Sequence, residues 1–187
     1  MDSFVEQLVK RKITREDYAV RIIVVILTLT IPFAVFFVSV LANALSFITL
    51  AFALLMIGIY MIFYVIQNQR VEYEYEITND NITVDKIINK NKRKNVCSLT
   101  ISHIALFCHI DDKKLANKKF AKRFDVSVDI MDKGNYVACF NAKQFGDCCL
   151  IMTPNSEAIE AIVRFLPAQQ KQEFKLAQLE AKKTEKN

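Results

Sequence analysis

The chain has 187 residues, of which 52% are hydrophobic, and this length accommodates about one soluble domain besides a membrane segment. Its formal net charge is only +5, from 25 basic and 20 acidic residues, so the composition does not favour nucleic-acid binding. Only three glycines are present, which argues against a glycine-rich loop for phosphates.

Residues 1–17 are predicted to form an N-terminal amphipathic, basic segment. Within it, residues 2–12 predict a short surface helix, because Ser3 and Glu6 have the spacing of a capping box and the apolar residues fall on one side. We expect this helix to lie on the inner leaflet, with the cations of residues 10–12 among the headgroups. A frayed basic leader fits the same residues.

Residues 18–69 are predicted to form a transmembrane hairpin of two helices. The 48 residues 22–69 contain no charged side chain, and about 20 apolar residues cross a hydrocarbon core. We expect spans near Val20–Leu41 and Leu45–Ile66, joined by a turn at residues 42–44. A cleavable signal peptide ending in Ala-Asn-Ala is less favoured, because the apolar run is too long and a second span follows at once.

The flanks of the hairpin predict its orientation. Basic residues precede the first span and follow the second, whereas the connecting turn is uncharged, so both termini are expected in the cytoplasm and the chain in the cell membrane; these cations are Lys10, Arg11, Lys12, Arg15, Arg21 and Arg70. Thr14 and Asp17 predict the N-cap of the first helix. Without Asp, Glu, His, Lys or Arg at depth, the hairpin is interpreted as an anchor rather than a transport path.

Small residues in the hairpin would allow close packing with the helices of a membrane enzyme or transporter, or with another copy of the chain. They are Ala42, Ala44, Ser46, Ala51 and Ala53. The sequence therefore leaves homo-oligomerisation through the hairpin open.

Residues 70–167 are predicted to form a β-domain. Apolar and acidic residues alternate after Arg70, which is typical of a half-buried strand, and similar patterns give seven strands: 71–77, 82–88, 96–101, 104–110, 124–131, 136–141 and 148–152. A helix is expected to begin after Asn155 and to end at Pro167. Residues 168–187 form a predicted polar tail, either a solvated helix or disordered.

The five cysteines are odd in number and have no regular spacing, so we interpret them as free, mostly buried thiols in a reducing compartment. A zinc site is disfavoured because Cys108, His109, His103 and the Cys148-Cys149 pair lack the usual ligand spacing. A Cys–His nucleophile would need a proximity that spacing does not indicate. We therefore expect no catalytic residue, no metal and no cofactor, and a protein that is not an enzyme.

The order of the elements, seven short antiparallel strands and then one amphipathic helix, resembles the pleckstrin-homology-like (PH-like) barrel of bacterial PH-like domains. Over most of its length the chain is similar to an uncharacterised family of small two-span membrane proteins of Gram-positive bacteria. The residues that carry the resemblance are Met1–Glu6, Val71–Ile77, Ile82–Ile88, Pro154-Asn155 and Phe165–Pro167. The resemblance implies a transmembrane hairpin followed by a β-barrel of about seven strands, capped by the C-terminal helix.

Lipid-binding PH domains hold the headgroup near the first hairpin loop, among cations. Here that loop is Thr78–Asn81, which is acidic, so no family binding residue is carried over.

Two basic clusters are the candidate contacts for anionic lipid, because a cation near an anionic leaflet contributes about 1 kcal/mol. They comprise Lys90, Lys92, Arg93 and Lys94, and Lys113, Lys114, Lys118, Lys119, Lys122 and Arg123. Solvated loops that keep the domain soluble explain the same residues.

The sequence thus predicts a membrane-anchored cytoplasmic interaction module that binds a protein partner, along an open edge of the barrel, or anionic lipid. An accessory subunit of a membrane enzyme or transporter, recognised through the hairpin, is the alternative.

Overall fold

The computed structural model describes residues 3–44, 46–116, 118–142 and 144–184. The chain divides into two compact units: a helical unit over 13–71 with 88–90, and a β-rich unit made of the residues before 13, residues 72–87 and those from 91 onward. Leu45, the predicted start of the second span, and the ends of the predicted terminal segments (1–2 and 185–187) lie outside the described residues.

The helical unit is the predicted hairpin. Helix α1 spans Arg15–Leu41 and helix α2 spans Ser46–Asn68, and both are long and apolar enough to cross a membrane. The predicted N-cap is confirmed: the Asp17 amide donates to Thr14 Oγ1 at 3.3 Å and the Thr14 amide donates to Asp17 Oδ2 at 2.9 Å. At the base of the hairpin, Gln69 accepts a 2.5 Å hydrogen bond from Arg21 Nε and donates to the Asp17 carbonyl.

The inner face of the hairpin is lined by small and polar residues. Thr28, Ser39 and Ala51 are buried, and a Cβ atom on Gly58 would lie 2.5 Å from Thr28 Cγ2. The hydroxyls of Thr28 and Ser39 donate to the carbonyls four residues earlier in their own helix, at 2.8 and 2.6 Å. Of the small residues named from the sequence, Ala51 is buried, whereas Ala42 and Ala53 are exposed.

The prediction of a surface helix over residues 2–12 is wrong, because Phe4–Lys10 is a strand, β1. It pairs antiparallel with β2, Val71–Thr78, in a register that runs from Phe4 opposite Thr78 to Lys10 opposite Glu72. Alternate residues of β1 are more buried, and Val9 is almost fully buried. The local capping signal is overridden because pairing to β2 satisfies the backbone of the whole segment.

The described residues form six further strands and two further helices. The strands are β3 Asn81–Ile88, β4 Lys92–Thr100, β5 Ile104–His109, β6 Lys122–Asp125, β7 Tyr136–Ala142 and β8 Gly146–Met152. The helices are α3 Ser156–Phe165 and α4 Ala168–Thr184, and short 3₁₀ turns cover Ile101–His103 and Lys113–Leu115. One sheet has the order β1-β2-β3-β4 and the other the order β5-β7-β8-β6.

The predicted single barrel of about seven antiparallel strands is therefore corrected. The described chain has eight strands in two sheets, and β6 runs parallel to β8. The predicted strand 124–131 ends at Asp125, because Oδ1 of that residue accepts from the amide and hydroxyl of Ser127 and turns the chain. The predicted loop 89–95 already enters β4 at Lys92, and residues 168–184 form α4.

A partly buried polar junction centred on Thr153 joins several elements of the β-rich unit. Tyr75 in β2 donates to the Val126 carbonyl at 2.5 Å, and the Thr153 amide donates to the Tyr75 hydroxyl. Gln7 in β1 donates to the Thr153 carbonyl at 3.0 Å and accepts from the amide of Asn155, which caps α3 as predicted. The first strand is thus an integral part of the domain, although 60 residues of hairpin and linker separate Lys10 from Val71 in the sequence.

Candidate interaction surfaces

Strand β5 lies at one end of its sheet, and helix α4 packs against it. Phe174, which is buried, anchors the otherwise polar helix. Its ring centroid lies 5.4 Å from that of Phe107 in β5 and 6.0 Å from that of Tyr136 in β7. Aromatic pairs at such distances add to the burial of apolar area, so one side chain accounts for much of the docking of α4.

An ion pair supports this docking at the rim. Lys114 Nζ lies 2.5 Å from Glu173 Oε2. The hydrogen bond raises the pKa of Lys114 and lowers the pKa of the Glu173 carboxyl. Both groups are exposed, so solvent and salt screen the pair.

A groove of about 370 Å³ runs between β5 and α4. Its floor is aromatic, with Phe107, Tyr136 and Phe174, and its rim is polar, with His109, Lys114 and Gln170. His109 Nε2 is in hydrogen-bond contact with the Lys133 carbonyl, which fixes the ring at one end of the groove. Because no described strand pairs with the outer side of β5, its backbone groups on that side are free to pair with an added strand.

The ten cations predicted to contact lipid belong to two separate segments of the chain. Lys90, Lys92, Arg93 and Lys94 lie on the turn into β4 and its first residues, whereas the other six lie between β5 and the middle of β6, on the other sheet. Arg93 is engaged by Glu74 at 2.5 Å and by Asp85 at 3.9 Å, and Lys114 by Glu173. Within the described ranges, no ion pair involves Lys90, Lys92, Lys94, Lys113, Lys118 or Lys119.

The second group of cations lies beside aromatic rings. Lys122 Nζ lies 4.8 Å from the centroid of Phe124 and 3.9 Å from that of Phe145, and the guanidinium of Arg123 lies 5.9 Å from Phe120. Lys122 and Arg123 are adjacent in β6, so their side chains lie on opposite faces of the sheet. The exposed Lys118 and Lys119, with Phe120 and Arg123, form what we call the lysine–phenylalanine surface. Sequence reasoning missed Phe145, because it lies in the turn between β7 and β8 and approaches Lys122 only through the fold.

The thiols are free and buried, as predicted. Burial raises the pKa of Cys97 and of Cys108 to about 12, and that of Cys149 to about 11. A thiol with so high a pKa has almost no thiolate at neutral pH and is a poor nucleophile. Among the described residues, no three His, Cys, Asp or Glu side chains are grouped so that they could hold a metal ion.

Comparison with known proteins gives one result at the family level. Residues 1–172 match a family described as "Bacterial PH-like domain (DUF6106)". No curated protein and no solved structure matches the chain. The match begins before the hairpin, in agreement with the place of β1 in the domain.

Proposed function

The chain belongs to this bacterial PH-like domain family, and from that premise we propose that it is a membrane-anchored interaction module. Its two apolar helices would hold the PH-like domain at the membrane through two short tethers. Four residues separate β1 from α1, and two separate α2 from β2. A domain tethered twice over such lengths stays at the lipid surface.

The topology proposed is that both termini face the cytoplasm. The cations around both ends of the hairpin support it, and so does the pairing of β1 with β2, because both ends of the hairpin lead into one sheet. Fusions of a fluorescent protein and of alkaline phosphatase to the C-terminus test it. We expect fluorescence and no phosphatase activity, and the reverse pattern would contradict the orientation.

The function that the geometry supports best is binding of an extended segment of a protein partner in the groove between β5 and α4. The observation that carries it is the end position of β5 beside an aromatic floor. An added strand would pair with the β5 backbone, while its alternate side chains would reach the rings of Phe107, Tyr136 and Phe174.

Site-specific photocrosslinking in membranes tests this proposal. A benzoylphenylalanine at Ala177, which lines the groove, should give a protein adduct. The same group at the neighbouring Leu176, which is 61% exposed and not part of the groove, is the matched control and should not. Equal labelling at both positions, or none, would contradict groove binding.

The alternative of an accessory subunit, recognised through the hairpin, is tested in the same experiment. Phe52 in α2 is 65% exposed and offers a position on the outer face of the hairpin. A specific adduct from Phe52 and none from Ala177 would favour recognition through the helices.

Binding of anionic lipid is a second candidate, favoured by the exposed Lys118 and Lys119 on the lysine–phenylalanine surface. Hydrogen exchange of the full chain in nanodiscs tests it. We expect the amides of residues 118–124 to exchange more slowly with phosphatidylglycerol present than in phosphatidylcholine alone. High salt should remove the difference. Equal exchange in both lipids would contradict binding of anionic lipid. The double variant Lys118→Glu with Lys119→Glu should abolish the difference in exchange.

A further inference from the structure

The loop between β6 and β7 carries two adjacent apolar side chains into solvent. Ile130 is 53% exposed and Met131 is 88% exposed. Met131 is more exposed than any other large hydrophobic residue that the structure describes, including Phe33 at 70% on the outer face of the hairpin. Two adjacent exposed apolar side chains on one loop offer an apolar surface that another apolar phase can cover.

The tip is held in place by its own hydrogen bonds. Asp129 Oδ1 accepts from the Met131 amide at 3.1 Å, and the Asp129 carbonyl accepts from the Asp132 amide at 3.0 Å. The side chain of Asn135, which is fully buried, donates to the same Asp129 carbonyl at 2.7 Å and accepts from Thr153. The loop therefore holds Met131 outward by a network anchored in the core.

The chain ties this loop to the start of the first span. The Lys12 amide donates to the Val128 carbonyl at 2.8 Å, and Lys12 Nζ lies 3.7 Å from Asp129 Oδ2. Helix α1 begins three residues later, at Arg15, so the covalent chain keeps Lys12 within about 10 Å of it. The charge-free stretch begins at Ile22, about 10 Å further along the helix.

We propose that Ile130 and Met131 insert into the boundary between headgroups and acyl chains beside the first span, as a third membrane contact of the chain. The charged groups around the tip cancel, Lys12 and Lys133 against Asp129 and Asp132, so apolar burial drives the contact rather than attraction to anionic lipid. The contact is separate from the lysine–phenylalanine surface. It rests on the proposed function, because the helices must span the bilayer to bring the loop to it.

Tryptophan fluorescence tests the insertion, since the chain contains no tryptophan. Four single variants of the full chain are compared in vesicles of phosphatidylcholine and phosphatidylglycerol, with the phosphatidylcholine either unmodified or brominated near the top of its acyl chains. Met131→Trp should emit at shorter wavelength than the exposed control Leu176→Trp. It should lose emission in the brominated vesicles, whereas the control should not.

Phe33→Trp in α1 separates failure of the insertion from failure of the anchor. If it is quenched and Met131→Trp is not, the loop does not insert and the proposal is overturned, while the spans stand. If Phe33→Trp is not quenched either, the proposed anchoring fails as well. Quenching of Met131→Trp should persist in phosphatidylcholine alone, and its loss there would overturn apolar insertion in favour of electrostatic attraction. Ile130→Trp should repeat the result of Met131→Trp.

Discussion

The helical hairpin and the β-rich domain bury opposite kinds of side chain. The hairpin buries Thr28, Ser39 and Ala51 and exposes its large apolar residues, whereas the domain buries residues such as Ile77, Ile82 and Leu150 completely. In the membrane proposed for the hairpin, moving an apolar side chain from the outer to the inner face would bring no gain, so close packing of small residues would join the helices. In water, burying apolar side chains lowers the free energy, and this hydrophobic burial organises the domain.

Truncation of a core residue should give the largest difference in stability loss between the domain and the hairpin. Ile82→Ala should lower the free energy of unfolding of the domain by about 3 kcal/mol, because it leaves a cavity in a fully buried site. Phe33→Ala, on the outer face of the hairpin, should change stability by less than about 0.5 kcal/mol. Denaturant unfolding of the full chain in micelles measures both, and similar losses in the two variants would contradict the contrast.

A smaller effect is expected where Gly58 faces Thr28 between the two helices. Gly58→Ala places a methyl group against Thr28 and should weaken the hairpin by about 2 kcal/mol through overpacking. Thr28→Ala in the same chain should restore most of the loss. Unfolding in detergent mixtures provides the measurement, with Ala53→Val on the exposed face as the control. A loss that Thr28→Ala does not relieve would place the helix contact elsewhere.

The smallest effect concerns pH and the docking of α4 in the domain. The pKa of Glu173 is lowered from 4.5 by its hydrogen bond from Lys114. Its contribution to the docking of α4 is therefore complete above about 4.5 and is lost as the pH falls through the lower folded value. Ring resonances of Phe174, followed by NMR as the pH falls below 4.5, should shift towards those of an undocked helix.

Glu173→Gln should remove the pH dependence of these resonances, and Glu160→Gln, on an exposed position of α3, should leave it intact. An unchanged titration in Glu173→Gln would show that another group controls the docking of α4. The 48 residues 22–69 carry no charge, so resonances of this stretch away from Glu16 and Asp17 should not move over this range.

The features that were predicted correctly from the sequence depend on residues that are close together in the chain. The charge-free stretch specified two helices, Thr14 and Asp17 specified a cap, and strict alternation specified β2. The pairing of β1 could not be predicted, because its partner begins 60 residues after it ends and the nearby capping signal favoured a helix. The parallel pairing of β6 with β8, the groove at β5 and the approach of Phe145 to Lys122 depend on tertiary contacts in the same way.

The hairpin interrupts one domain between its two paired strands, β1 and β2. Two soluble versions test it. In the first, residues 12–70 are replaced by Asn-Gly, which forms a tight turn between Arg11 and Val71, the residues next to the Lys10 and Glu72 pair. The second begins at Val71 and lacks β1. Urea unfolding of both versions is the measurement.

We expect the first version to unfold cooperatively and to be about 4 kcal/mol more stable than the second. The difference comes from the burial of Val9 and the hydrogen bonds of β1 and Gln7. Equal stability of the two versions would contradict it, because β1 would then contribute nothing to the domain.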